Sequence, residues 1–349
     1  MSRSVKKGAL IGCGFFATNH MNAWTEIPDV EIVAVCDLDP TKAKDMARKF
    51  NVPSVYTDTG QMLAEMDLDF VDVATTAPSH RAIVEQACQH VGLIICQKPF
   101  AETLQDARMM VDAAHNTDTR LVIHENFRWQ KAFMMMKSLI QDNRIGTPHF
   151  ARFSFRHGYD NYRNQPYLAE IERFTLMDVG LHLFDLARHF MGDVARLSCT
   201  TQSVNPIVRG EDLFTALLMH ENGATTICDC SFFTKVDPEP FPQTAAWIEG
   251  DEGTLELRTD FSLRIHSDGT HTCIDTEPEV PDWGARPWHN VQDSVLNFQT
   301  HVAQVLKGHG QASPSGTDNL KTLSLALAAY DAARTGQTID MSRWVEGAV

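Results

Sequence analysis

Through the first 125 residues, short apolar runs alternate with amphipathic stretches, the pattern of βαβ units around a parallel sheet. Runs at 5–11, 70–75, 93–96 and 121–124 read as strands, and VEIVAVC at 30–36 is nearly continuous apolar sequence, as a strand covered on both faces requires. Helices are predicted at 16–27, 40–50, about 79–90 and 103–116, the second opened by Asp39 ahead of Pro40. The pattern changes after Gly146-Thr147-Pro148. Strand-like segments at 150–155, 195–202, 214–220 and 225–233 then follow one another with turn signals such as Glu221-Asn222-Gly223, which predicts an antiparallel sheet. A helix at about 177–191 interrupts them, 235–242 is a proline-rich loop, and 318–335 has helical periodicity that stops before Gly336.

A chain of 349 residues is long enough for two cores, so the change of pattern reads as a domain boundary. A net charge of −15 argues against nucleic acid or an anionic membrane as partner, because those surfaces attract basic patches. The eight cysteines form no CxxC pair, so neither a zinc ribbon nor a dithiol redox motif is expected, and Cys228 and Cys230 at strand spacing read as buried thiols. The apolar run near the N-terminus is too short to span a membrane and lacks a cleavage site, which places the protein in the cytoplasm as an expectation.

The first chemistry lies in Gly12-Cys13-Gly14-Phe15-Phe16-Ala17, directly after a predicted strand and opening a helix. The first glycine permits a tight turn, the second lets backbone approach a pyrophosphate, and the small third residue lets helix and strand pack closely. The anion would rest on helix N-terminal N–H groups, including those of Phe15 and Phe16. Asp37 closes the second strand about twenty residues further on, where a carboxylate accepts from ribose hydroxyls and repels a 2′-phosphate. Leu38 follows it and supplies no compensating cation, so NAD is expected rather than NADP.

Hydride loss from a hydroxyl carbon needs a base for the proton and a cation near the developing alkoxide. Lys98, in Gln97-Lys98-Pro99, leaves the end of the strand at 93–96. Asp178 and His182 are four apart on one predicted helix face, and Asp185, three further on, could orient the imidazole. A metal site is the alternative reading of this trio, but no second histidine stands at ligand spacing, so no metal is expected. Taken one at a time, Lys98 reads equally as a surface charge, and Asp178 with His182 as a cap and a core residue.

In order, GCGFFA, Asp37, Ala74-Thr75-Thr76-Ala77-Pro78-Ser79-His80, Gln97-Lys98-Pro99, Glu125-Asn126-Phe127-Arg128-Trp129 and Asp178-Val179-Gly180-Leu181-His182 resemble the Gfo/Idh/MocA family, which includes glucose–fructose oxidoreductase and inositol 2-dehydrogenase. The resemblance runs over nearly the whole chain, to the late Gly316-x-Asp318 helix. It implies an α/β fold: a Rossmann domain with a doubly wound parallel sheet over 1–125, then an α/β domain with a large open, mostly antiparallel sheet over 126–349. The last helix, about 316–336, would return to pack near the first domain. It also implies that Lys98 contacts the reacting hydroxyl, that His182 is the acid/base, and that Asp178 positions substrate or histidine. Thr75, His80 and Asn126 would line the nicotinamide half of the pocket, and Gln97 would bond the nicotinamide ribose. Gln97 stands where the family has glutamate, which leaves less negative charge to hold Lys98 as an ammonium.

The implied reaction is NAD-dependent oxidation of a hydroxyl carbon of a sugar or polyol. The stretch 153–169 narrows the likeness to members that oxidise a branched pentose at C1 to its lactone. Arg152, Arg156, His157, Tyr159 and Arg163 crowd a region that meets substrate in this family, with Arg156 and Arg163 the candidate sugar contacts. Arg152 and Arg156 share a strand face and could act together or face solvent. Trp283 and Trp288 could form a lid, an interface or core. Two other functions remain open at this point, an NAD-dependent glycoside hydrolase and a non-catalytic NAD sensor. The resemblance further implies a homodimer or homotetramer joined through the open sheet.

Overall fold

The apolar runs of the N-terminal half become strands β1 (Lys6–Ile11), β2 (Val30–Cys36), β3 (Ser54–Tyr56), β4 (Phe70–Val73), β5 (Leu93–Gln97) and β6 (Arg120–His124). In the computed structural model, which describes residues 5–163 and 165–347, they pair in parallel in the order β3-β2-β1-β4-β5-β6. Between them run α1 (Ala17–Thr25), α2 (Pro40–Phe50), α3 (Thr59–Glu65), α4 (Ala77–Ala87) and α5 (Leu104–Asn116). The Asp39 carboxylate accepts from the Thr41 and Lys42 N–H groups and so starts α2, with Pro40 in the first turn where no donor is missed. Strand order reverses between β1 and β4, and at such a switch point the carboxyl ends of the strands leave a crevice for ligand.

The chain divides into two units, residues 1–126 with 294–320 and residues 127–293 with 321–349. The first unit thus takes in a later segment, 294–320. It carries most of α8 (His289–Leu306), which the sequence reading did not identify. Within the first unit Arg120 donates to the Val305 carbonyl at 2.8 Å, and the Ile123 N–H donates to the Pro314 carbonyl at 3.0 Å. Val122 and Ser315 form an antiparallel bridge, so residues 314 and 315 cover the outer edge of β6.

A carboxylate lies inside this unit. Asp72, on β4, is wholly buried; it accepts from His20 Nδ1 (2.9 Å), Trp24 Nε1 (2.8 Å) and Gln299 Nε2 (3.4 Å). These donors satisfy a group that would otherwise be costly to bury, and two of them fix the rotation of α1 on the sheet.

The second unit holds α6 (Lys131–Gln141), β7 (Pro148–Arg156), α7 (Leu181–Met191), β8 (Val194–Gln202), β9 (Leu213–His220) and β10 (Thr225–Ser231). It continues with β11 (Ala245–Gly250), β12 (Thr254–Leu257), β13 (Ser262–Ser267), β14 (Thr270–Asp275) and, after α9 (Gly316–Thr335), β15 (Ile339–Asp340). Among the described residues these strands form a nine-stranded sheet in the order β14-β13-β12-β11-β7-β10-β9-β8-β15. The expected antiparallel pairing holds for most neighbours, but β7 and β10 run parallel at the centre. Helix α7 packs on β7 and β10, over a face of alternating inward residues that includes Ala151, Phe153, Cys228 and Cys230. Both cysteines are fully buried thiols, and burial pushes both well above the usual thiol range.

Candidate active site

The turn after β1 is built to accept a dinucleotide. Gly12 has φ of +95°, and a Cβ there would sit 2.8 Å from the backbone of Ala74 and Thr75, so only glycine fits. A Cβ at Gly14 would meet nothing within 4 Å, which leaves backbone open to a ligand. No side chain caps α1 at Phe16, so its first N–H groups are not taken by a cap of their own. The Asp37 carboxylate is already oriented: the Cys13 N–H donates to Oδ2 at 2.7 Å and the Asp39 N–H to Oδ1 at 2.8 Å. That tie joins the glycine turn to the carboxylate at the end of β2. Leu38 beside it is exposed, with no cation to accept a 2′-phosphate. Turn, uncapped helix and carboxylate together fit NAD.

The other residues expected at this site cluster at the same strand ends. Lys98 leaves the end of β5 half-buried, and its N–H donates to the Gln97 side-chain oxygen at 3.0 Å. Asn126, past β6, is buried and donates to Ser294 Oγ at 2.6 Å. Thr75 Oγ1 accepts from Ser79 Oγ at 2.8 Å. The His80 ring is wholly buried, its nitrogens 3.1 Å from the carbonyls of Thr75 and Phe100. Burial pushes His80 below the usual histidine range, so the ring is neutral and its single N–H serves one of these two carbonyls, which lie in the segments after β4 and β5. Phe16 sets its edge against His20 and His124, which stack on one another at 4.2 Å.

In the second unit, Asp178 and His182 lie on consecutive turns. Residues Leu176–Gly180 form a π-helical turn, closed by the Leu181 N–H on the Leu176 carbonyl, and α7 begins directly after it. A π turn inserted into a helix is rare and is found most often at functional sites. His182 is 4 % exposed, and the ring of Phe127 lies parallel to it at 3.9 Å. The Asp185 carboxylate receives both Nε (2.7 Å) and Nη2 (2.5 Å) of Arg128 in a buried fork. Stacking on Phe127 is one contact that sets the His182 plane. Sequence reasoning missed the roles of Phe127 and Arg128, although both stand in the segment that begins with Glu125-Asn126.

His157 is 1 % exposed at the end of β7, enclosed by Phe155, Phe232 and Phe241. Burial lowers its pKa to about 3 against the opposing pull of the nearby Asp178 charge, so the ring is neutral. Arg156 and Arg152 both pair with the buried Asp229, at 3.1 and 3.0 Å, and Ser154 Oγ donates to the same carboxylate at 2.8 Å. The shared strand face thus produces an ion cluster on the sheet, in which the Arg156 side chain stays 39% exposed. Arg163 is exposed on the loop after β7. Trp288 packs edge-on against Phe241 at 5.1 Å, and Phe241 stacks on Tyr159 at 4.4 Å, so Trp288 belongs to an aromatic cluster.

A dinucleotide-binding parallel sheet with a lysine at its strand ends, joined in one chain to an Asp–His helix on an open sheet, defines a nicotinamide-dependent oxidoreductase. Residues 6–125 match the oxidoreductase family with the NAD-binding Rossmann fold, and 133–256 match the GFO/IDH/MocA C-terminal domain. The chain belongs to the Gfo/Idh/MocA family. It is 47% identical over 341 residues to a D-apiose dehydrogenase of Rhizobium rhizogenes, covering 98% of this chain and 99% of that one. A D-apiose dehydrogenase of Paraburkholderia graminis is also 47% identical, over 96% of this chain and 89% of that one. Among solved structures, an oxidoreductase from Agrobacterium radiobacter in complex with NAD+, L-tartaric acid and magnesium superposes with a TM-score of 0.95 at 47% identity, over 97% and 99% of the two chains. Levoglucosan dehydrogenase in complex with NADH and L-sorbose shares the fold with a TM-score of 0.81 at 20% identity, over 97% of this chain and 99% of that one. The chain is an NAD-dependent sugar dehydrogenase.

Proposed function

We propose that the enzyme oxidises D-apiose, a branched pentose, at C1 to its lactone. The observation that carries this reading is 47% identity, along essentially the whole chain, to two relatives named for that sugar. Bound NAD supplies the hydride acceptor. Asp37, oriented by the Cys13 N–H, would accept from the adenosine ribose hydroxyls, and the turn at Gly12–Gly14 would leave room for the pyrophosphate. The Lys98 ammonium steadies the oxygen as negative charge develops on it. His182, held against Phe127, receives the hydroxyl proton, and the Asp178 carboxylate positions sugar or imidazole. Arg156, partly exposed beside Asp229, and Arg163, exposed on its loop, offer guanidinium donors to sugar hydroxyls.

The test is a panel of aldoses, polyols and aldonates with NAD, followed at the absorbance of reduced nicotinamide. D-Apiose should give the highest kcat/KM, with one NADH formed per lactone. Net NADH from free sugar excludes both a glycoside hydrolase that recycles its cofactor and a nucleotide sensor; no NADH with any of them would overturn the reading.

We propose further that the enzyme works as a homodimer or homotetramer in the cytoplasm. Trp247, Arg152, Ile227 and Leu217 lie side by side across β11, β7, β10 and β9, and Leu217 is 39% exposed, a row of three large apolar side chains and one arginine suited to a second copy. Eight unpaired thiols suit a reducing compartment. No helix among the described residues is long and apolar enough to cross a membrane. Light scattering on a sizing column would show a monomer if the pairing is wrong.

A further inference from the structure

The π-helical turn that carries Asp178 is held from outside its own helix. Glu211, on the segment leading into β9, is 7 % exposed, and its carboxylate accepts the N–H groups of Phe174 at 3.2 Å and Leu176 at 3.0 Å. Its backbone carbonyl accepts the Thr175 N–H at 3.3 Å. The same carboxylate receives the hydroxyl of Tyr330, on α9, at 2.7 Å. Next to Glu211, a Cβ at Gly210 would lie 2.7 Å from the carbonyl oxygens of Ile171 and Glu172, so the two backbones touch only because this residue is glycine. Asp212 anchors the other side, its carboxylate accepting the Val204 and Asn205 N–H groups. The bracket is thus rigid on both sides of Glu211.

Its target is the point where the helical ladder is dislocated. The Phe174 carbonyl accepts from both Met177 (3.1 Å) and Asp178 (2.8 Å), after which the ladder skips to the wider spacing closed by Leu181. Left alone, a π turn relaxes toward the α-helix, because its hydrogen-bond geometry is poorer and its packing looser. Such a relaxation rotates every side chain before the insertion relative to every one after it. Asp178 lies within the π turn and His182 directly after it, so the relaxation changes their register. A carboxylate on the first N–H groups of a helix is also favoured by the helix dipole.

We propose that Glu211 and Tyr330 are positioning residues: they clamp 174–176 so that the turn stays π-helical and Asp178 is held in fixed register with His182. The proposal rests on the assignment of Asp178 and His182 to the chemistry. Tyr330 is suited to a lasting role as donor, since burial and the adjacent Glu211 charge both keep its hydroxyl protonated well above the usual tyrosine range. Arg173 lies over the Tyr330 ring at 5.4 Å and closes the bracket from the solvent side.

The experiment compares Tyr330→Phe, Glu211→Gln and the double variant with wild type, at a temperature well below each melting point and normalised to NAD-binding sites. Tyr330→Phe removes one oxygen and leaves the packing, so it folds even if Glu211→Gln does not. It should lower kcat by about tenfold, with NAD affinity unchanged, because a small misplacement of a reacting group has effects of this order. The double variant should be no slower than Glu211→Gln alone, since the hydroxyl acts through that carboxylate. A Tyr330→Phe enzyme with wild-type kcat and only a lowered melting point would overturn the proposal, as would losses that simply multiply in the double variant. Asp178→Asn is run alongside. If it turns over like wild type, the catalytic assignment itself has failed; if it is inactive while the bracket variants are fast, only the bracket has.

Discussion

Phe127 and His182 lie face to face, 3.9 Å between ring centroids and 1° from parallel, although they come from separate segments of the second unit. A flat apolar surface of this kind leaves an imidazole one plane in which to swing, which is the form of preorganisation that proton transfer needs. Phe127→Leu keeps an apolar side chain at the site but removes the flat face. The expected result is a fall in kcat of about tenfold with NAD affinity unaltered; titration of NAD by fluorescence alongside steady-state rates checks both halves.

Lys98→Met keeps the length of the side chain and removes its charge. Turnover should fall by at least about a hundredfold, the usual effect of losing one group that stabilises developing charge. NAD should still bind, because Asp37 and the Gly12 turn are untouched. Unchanged turnover would remove Lys98 from the mechanism.

The Asp37 carboxylate is tied by the N–H groups of Cys13 and Asp39, so its charge is fixed where the 2′ position of the ribose would fall. Asp37→Ser should shift the ratio of kcat/KM for NADP over NAD upward by about tenfold or more, as a repulsive element is removed. The measurement is a pair of saturation curves, and an unmoved ratio would show that the ribose is held elsewhere.

Arg128 and Asp185 form a buried ion pair, the guanidinium 7% and the carboxylate 0% exposed. Removing one partner strands the other charge away from water. Arg128→Met and Asp185→Leu should each destabilise the protein by about 3–5 kcal/mol, and the double variant should recover most of that loss. Urea denaturation followed by fluorescence measures all three, and additive losses would show that the charges do not depend on one another.

Two histidines of the second unit are held neutral. Burial brings His157 to about 3; at His189 burial, followed by the Arg128 and Lys137 charges, brings the group to about 2. In the unfolded chain both bind protons near pH 6.5. Below that pH the unfolded state takes up protons that the folded state refuses. Their stabilising contribution is therefore complete above about pH 6.5 and is lost as pH falls toward 3, by up to about 1.4 kcal/mol per unit for each histidine. Urea midpoints at pH 7.5 and 5 should differ less for His157→Phe than for wild type; an equal difference would mean that His157 is protonated in the folded protein.

The features that were legible in the sequence are those whose chemistry is local. The Gly12 turn, the apolar run of β2, the Asp39 cap and the Lys98 strand end each depend on neighbours a few residues away, and each stands where the pattern placed it. β3 and α3 are too short to show a period, and α6 follows a three-residue helical turn with no glycine or proline between them. The parallel pairing of β7 with β10 was not legible, because strand direction depends on the path of everything between them. Asp185 shows the same limit at the site. Spacing correctly put it on the helix of His182, but Arg128, which forks onto its carboxylate, stands 57 residues away and is brought there by tertiary packing alone. The Phe127 stack and the bracket at Glu211 are long-range in the same way.

The coverage of β6 by residues 314 and 315 carries a consequence for how the protein is made. That strand is the last of the six-stranded sheet, and the stretch protecting its rim is synthesised almost two hundred residues later. While a ribosome is still translating the second unit, the nucleotide-binding sheet has emerged with one flank able to recruit a foreign strand. Messages cut short before this point would yield sticky fragments rather than a usable cofactor module, so brisk elongation through the intervening region, or a chaperone waiting at the exit tunnel, protects the product more than any added stability in the finished fold.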